Sequence, residues 1–118
     1  MPRKFIQSVR YAGKGIKHAF WTQRNIRIHT IIALIVLACG VALELTSYEL
    51  VALILAICFV IMSEMINTAV EETINLVSPS HHVSAMIGKD VAAGAVLFSS
   101  FCAIIVGCLI FIPHLVKR

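Results

Sequence analysis

The segment Ser63-Glu64-Met65-Ile66-Asn67-Thr68-Ala69-Val70-Glu71-Glu72-Thr73-Ile74-Asn75 decides how this chain folds. The residues before it, Leu50 to Met62, form a strongly apolar run broken by no charge. On an α-helix, Glu64, Asn67, Glu71 and Asn75 fall at i, i+3, i+7 and i+11, along one stripe. Glu72 points away from that stripe and reads as a solvated residue. A carboxylate at the end of a membrane-like segment is costly unless it faces protein or water, so Glu64 reads first as a functional group. A structural polar seam between helices is the plainer alternative.

Working outward, the composition agrees with a membrane setting. Of the 118 residues, 59% are hydrophobic and only 14% charged, more apolar surface than a soluble domain of this size can hide. The chain reads as one small all-α integral membrane domain covering residues 1–118. Three helices alone offer little interior for a polar stripe, so an oligomer with sites built between subunits is expected.

The basic residues are unevenly placed. Arg3, Lys4, Arg10, Lys14, Lys17, Arg24 and Arg27 precede the first apolar segment, against Lys89, Lys117 and Arg118 after it. This asymmetry places the N-terminus in the cytoplasm. The same cluster suits anionic headgroups or nucleotide phosphates. Nucleic acid is a poor partner for a basic region that runs directly into a membrane segment. Cys39, Cys58, Cys102 and Cys108 lie in apolar runs without zinc or disulfide-framework spacing and read as buried thiols.

In chain order, residues 3–24 space Phe5, Val9, Ala12, Ile16, Ala19 and Phe20 as an amphipathic surface helix. Phe20 and Trp21 belong at headgroup level. Gly13-Lys14-Gly15 lacks phosphate-loop spacing. A first span is expected over about 28–45, with a turn at Thr46-Ser47 and Ser47 capping the next helix above Glu49. The second helix, about 48–77, is roughly 45 Å long and exceeds the roughly 30 Å hydrocarbon core, so it projects from the bilayer. Pro79 ends it. A third span is expected over about 84–114.

Paired about residue 80, the hairpin brings Lys89 and Asp90 near the level of Glu71. Glu64, Asn67, Glu71, Lys89 and Asp90 then offer a base, carboxylates for a magnesium ion and a cation for phosphates, the kit of phosphoryl transfer. Bland readings stand beside these: Lys89 as an interfacial anchor, Asp90 as dipole compensation, and His81 and His82 as surface loop residues placed to touch a nucleotide.

These residues resemble the small prokaryotic diacylglycerol kinase and undecaprenol kinase family over nearly the whole chain. Glu64-Met-Ile-Asn67-Thr-Ala-Val-Glu71 looks like the family's ExxNxxxE signature, with Lys89-Asp90 at family spacing. Tyr11-Ala-Gly-Lys-Gly-Ile16 and Arg24-Asn-Ile-Arg-Ile-His29 look like its amino-terminal motifs. The resemblance implies a homotrimer in the bacterial inner membrane, with a surface helix and three transmembrane helices per subunit and active sites shared between subunits. It implies ATP- and Mg²⁺-dependent phosphorylation of a lipid alcohol, with Glu64 as general base, Asn67 orienting the site and Glu71 as magnesium ligand. Lys89, Asp90, Tyr11, Lys4, Ser80, His81 and His82 would meet the nucleotide. Gln23 stands where the family has a metal-binding Glu, and Asn75 where it has Asp. Segments 24–29 and 76–79 look more like the undecaprenol kinase branch. A small proton-coupled transporter and a catalytically weakened homologue remain the competing readings.

Overall fold

The computed structural model describes residues 2–80 and 82–117. Its four helices are α1 (Pro2–Thr22), α2 (Arg24–Ala42), α3 (Ser47–Val77) and α4 (Val83–Val116). The last three are long and apolar enough to span a membrane. At 1.5 Å per residue, the 31 residues of α3 reach about 46 Å, so this helix outruns a bilayer core. Few of their residues are buried, and Leu34, Phe59, Phe98 and Phe101 are all exposed. Such a surface is stable against lipid tails or other subunits, not against water.

Several hydroxyls of the spans are satisfied inside their own helices. Thr30 donates to the Ile26 carbonyl, Ser63 to Phe59 and Thr68 to Glu64, at 2.8, 2.8 and 2.9 Å. No water is needed to pair them within the hydrocarbon.

α1 and α2 are separated by Gln23 alone, whose φ of −103° and ψ of 109° break the helix. Arg27 closes the break, donating to the Phe20 and Trp21 carbonyls at 3.2 and 2.8 Å. A cation at a helix C-terminus satisfies orphan carbonyls and opposes the dipole. The first span therefore starts at Arg24, earlier than the apolar pattern indicates, because helix geometry continues past the hydrophobic boundary. Gly13 and Gly15 do not interrupt α1.

α2 ends at Ala42 in a tight reversal. The Leu45 N–H donates to the Gly40 carbonyl and the Glu44 N–H to the Val41 carbonyl, each at 3.1 Å. This is the paired Schellman pattern, and it forces Glu44 to a φ of 55°. Leu45 folds back onto Gly40, where an added Cβ would lie 2.9 Å from its Cδ1. Thr46, not Ser47, is the N-cap of α3. Its hydroxyl accepts from the Glu49 N–H at 3.2 Å and the Glu49 carboxylate accepts from the Thr46 N–H at 3.1 Å. The reciprocal pair is a capping box, and the Thr46-x-x-Glu49 spacing carries it. Glu49 also meets His114 Nε2 near the end of α4 at 2.8 Å, tying the far ends of α3 and α4 together. Leu45, Leu53 and Ile110 form the small core at that end.

Candidate functional site

Down α3, the residues turned inward are Leu53, Val60, Glu64 and Thr68. Their spacing of seven and four is one helix face, so the buried face of α3 carries a carboxylate near its end. Glu64 is 3% exposed. Its Oε1 lies 3.4 Å from Nε2 of His29 on α2, within ion-pair distance but longer than a good hydrogen bond. His29 was not among the residues the sequence singled out for the site. Its place in the Arg24–His29 segment was visible, but not the packing of that segment onto Glu64.

One turn on, Asn67 is half-buried, and its Nδ2 donates to Glu71 Oε1 at 3.3 Å. This bond fixes the two side chains together and leaves the second Glu71 oxygen free of it. Asn67 Oδ1 is buried and has no donor among the described residues. Buried acceptors are normally paired, so a water or a substrate group is the natural partner. Glu72 is exposed, as its place off the stripe implies.

The stripe ends at Asn75, whose Oδ1 accepts from the Lys89 ammonium across the hairpin. Lys89 thus pairs one turn nearer the loop than Glu71, and Asp90 is exposed. The hairpin packs Gly88 close to Ile74, with 3.0 Å from an added Cβ to the Ile74 Cδ1. Asn75, Ser78, Ser80, His82 and Lys89 line a pocket of about 180 Å³ at the loop. The Ser78 hydroxyl donates to the Ser80 carbonyl at 3.1 Å. His82 caps α4, its Nδ1 accepting from the Ser84 N–H at 3.2 Å. His81 lies outside the described residues.

The expected nucleotide contacts divide accordingly. Ser80, His82 and Lys89 are together; Glu71 and Asp90 do not line that pocket. Tyr11 and Lys4 are exposed on α1, and the Lys14 ammonium sits 5.8 Å from the Tyr11 ring centroid, within cation–π range. Gln23 is half-buried at the α1–α2 break, and its side chain makes no capping bond, so its amide is available.

Among the described residues no three His, Cys, Asp or Glu side chains cluster as a metal cage. Magnesium keeps most of its waters and takes one or two carboxylates together with substrate phosphates. Glu71, with one oxygen unclaimed by Asn67, and the neutral Gln23 amide would be its ligands.

A second cavity, of about 310 Å³, opens between α2, α3 and α4. Its walls are apolar, from Ala33 and Val36 through Leu53 and Ile57 to Ile104, and His29 stands at its edge.

The fold and site define a class: a helical membrane protein whose buried carboxylate begins a polar stripe running out to a cationic loop pocket. Comparison with known proteins narrows that class. The family model for prokaryotic diacylglycerol kinase matches residues 10–111. The chain belongs to that family. It is 43% identical over 113 residues to a diacylglycerol kinase of Synechocystis, covering 95% of this chain and 65% of that protein. It is 39% identical over 112 residues to an undecaprenol kinase of Bacillus subtilis, covering 95% of this chain and 91% of that one. Identity to a diacylglycerol kinase of Escherichia coli is 23% over 111 residues, covering 94% and 91%. These relatives are named as lipid kinases.

Proposed function

We propose that the protein transfers the γ-phosphoryl group of Mg²⁺–ATP to the hydroxyl of a membrane lipid alcohol. Undecaprenol is the first candidate and diacylglycerol the second. The reaction is placed at the cytoplasmic face of a bacterial inner membrane, in a homotrimer with shared sites and a cytoplasmic N-terminus. The observation that carries the reading is the buried Glu64 carboxylate at the membrane end of the stripe, one turn beyond Val60 of the apolar groove. A lipid whose tail lies along apolar walls presents its hydroxyl at that level.

Glu64 removes the hydroxyl proton as the lipid oxygen attacks phosphorus, which makes it the general base. Asn67 Oδ1 offers an acceptor at the same turn, and Asn67 Nδ2 keeps Glu71 oriented. The Lys89 charge and the hydroxyl-rich loop around Ser80 and His82 suit the nucleotide, with Tyr11, Lys4, His81 and Asp90 around it. Magnesium, when bound at Glu71 and Gln23, neutralises phosphate charge. ADP then leaves on the aqueous side and the lipid phosphate stays in the membrane.

The similarity to an undecaprenol kinase over nearly all of both chains supports the polyprenol, while the similarity to two diacylglycerol kinases keeps diacylglycerol in play. The test is transfer of labelled γ-phosphate to each lipid in mixed micelles. Labelling of undecaprenol that Glu64→Ala reduces by 10²-fold or more is the expected result. Failure to label either lipid from folded protein overturns the reading.

A further inference from the structure

A buried carboxylate carries a large desolvation cost, and an ionised one needs a cation or several donors to stay charged. Among the described residues no hydrogen bond reaches the Glu64 side chain, and only His29 lies within ion-pair distance. The elements around the pair contain no competing charge at this level. On α4, Val91 to Ile112 holds no acidic, basic or histidine residue, its thiols Cys102 and Cys108 are exposed, and Ser100, Ala103 and Ile104 share the groove with His29. On α3, Glu71 is two turns away and engaged by Asn67. On α2, Arg27 is spent on the α1 carbonyls and Arg24 is exposed. On α1, Lys17 and His18 are exposed.

We propose that His29 is the positioning residue of Glu64: its Nε2 meets the carboxylate across the α2–α3 contact and aims it at the substrate hydroxyl. This deepens, and rests on, the reading of Glu64 as the base. His29 touches neither phosphate nor nucleotide. It acts through Glu64, by holding the carboxylate in place. The separation of 3.4 Å suits a contact that tightens when substrate excludes the remaining water, since catalytic hydrogen bonds are often long before substrate binds. The ring is also partly open to the groove, with 27% of its side chain exposed.

Two measurements on the full chain in lipid nanodiscs test the pairing. The first is the NMR chemical shift of the His29 Nε2, which does not depend on activity. A shift that marks contact with a carboxylate is expected in the native protein and changes in Glu64→Gln. The same Nε2 shift in both overturns the proposal.

The second is the kinetics of His29→Gln with whichever lipid the native protein phosphorylates. Without the ring the carboxylate loses its aim, so kcat should fall about tenfold or more, since small misplacements of a reacting group cost that much. The ATP KM and the thermal midpoint should hold. A raised ATP KM together with lower thermal stability means His29 only packs, and overturns the proposal. Inactive Glu64→Ala beside a native kcat in His29→Gln also overturns it, leaving the base reading intact. Active Glu64→Ala overturns the base reading itself, and the ring signature then decides the pairing alone.

Discussion

At the scale of single residues, the site differs in charge from what its family resemblance implies. In the proposed magnesium site Gln23 would supply a carbonyl where a carboxylate is expected, giving the metal a dipole instead of a charge. Gln23→Glu is expected to lower the magnesium concentration for half-maximal rate severalfold, because hard divalent cations bind carboxylates more tightly than amides. A magnesium titration of the rate at saturating ATP checks this; an unchanged midpoint would remove residue 23 from the metal site. Asn75 is a similar case. As a neutral acceptor it holds Lys89 without cancelling its charge, so the ammonium keeps its full attraction for phosphate. Lys89→Met should therefore raise the KM for ATP about tenfold or more while leaving lipid KM near native. Equal effects on both substrates would assign Lys89 to packing of the hairpin.

At the scale of elements, two turns set how far each helix carries its residues. The α2–α3 reversal stores strain at Glu44, a non-glycine residue with positive φ at a helix C-terminus, where its negative charge also meets the negative end of the dipole. Glu44→Gly should stabilise the protein by about 1 kcal/mol, read as a higher midpoint in a detergent unfolding titration. Thr46→Ala removes the capping hydroxyl and should cost about 1 kcal/mol in the same assay. The sequence reading puts the cap at Ser47, one residue too late, although the Thr46-x-x-Glu49 spacing of a capping box is legible in the sequence. The backbone geometry settles it, because a cap is defined by which residue leaves the helix. The start of α2 at Arg24 is a similar case. Hydropathy marks where lipid contact begins, whereas Arg27 and the Gln23 backbone determine where the helix begins.

At the scale of the whole molecule, a single chain covers little of its own apolar surface. Asn67 and Glu71 are only half-buried, and the groove beside His29 is open. A neighbouring copy closing the open side of the stripe is the simplest way to exclude water from a phosphoryl transfer. The proposed homotrimer predicts a mass of three chains by native mass spectrometry from lipid nanodiscs. It also predicts recovery of activity on mixing two impaired variants whose lesions fall in different parts of a shared site, such as Glu64→Ala with Lys89→Met assayed at ATP well below the raised KM. A monomer that is fully active overturns it.

The sequence alone determined the number and order of helices and the polar stripe on α3. Those features rest on composition and on the fixed period of the helix, which any reader can project. Tertiary structure decided what each stripe residue faces: His29 against Glu64, Asn67 against Glu71, and Lys89 against Asn75 and not Glu71. The physical reason is that helical spacing fixes contacts along one helix, while contacts between helices depend on axial register. That register is set by turns and close packing at Glu44, Thr46, Gly40 and Gly88, where a shift of one turn moves a side chain about 5 Å and changes its partner.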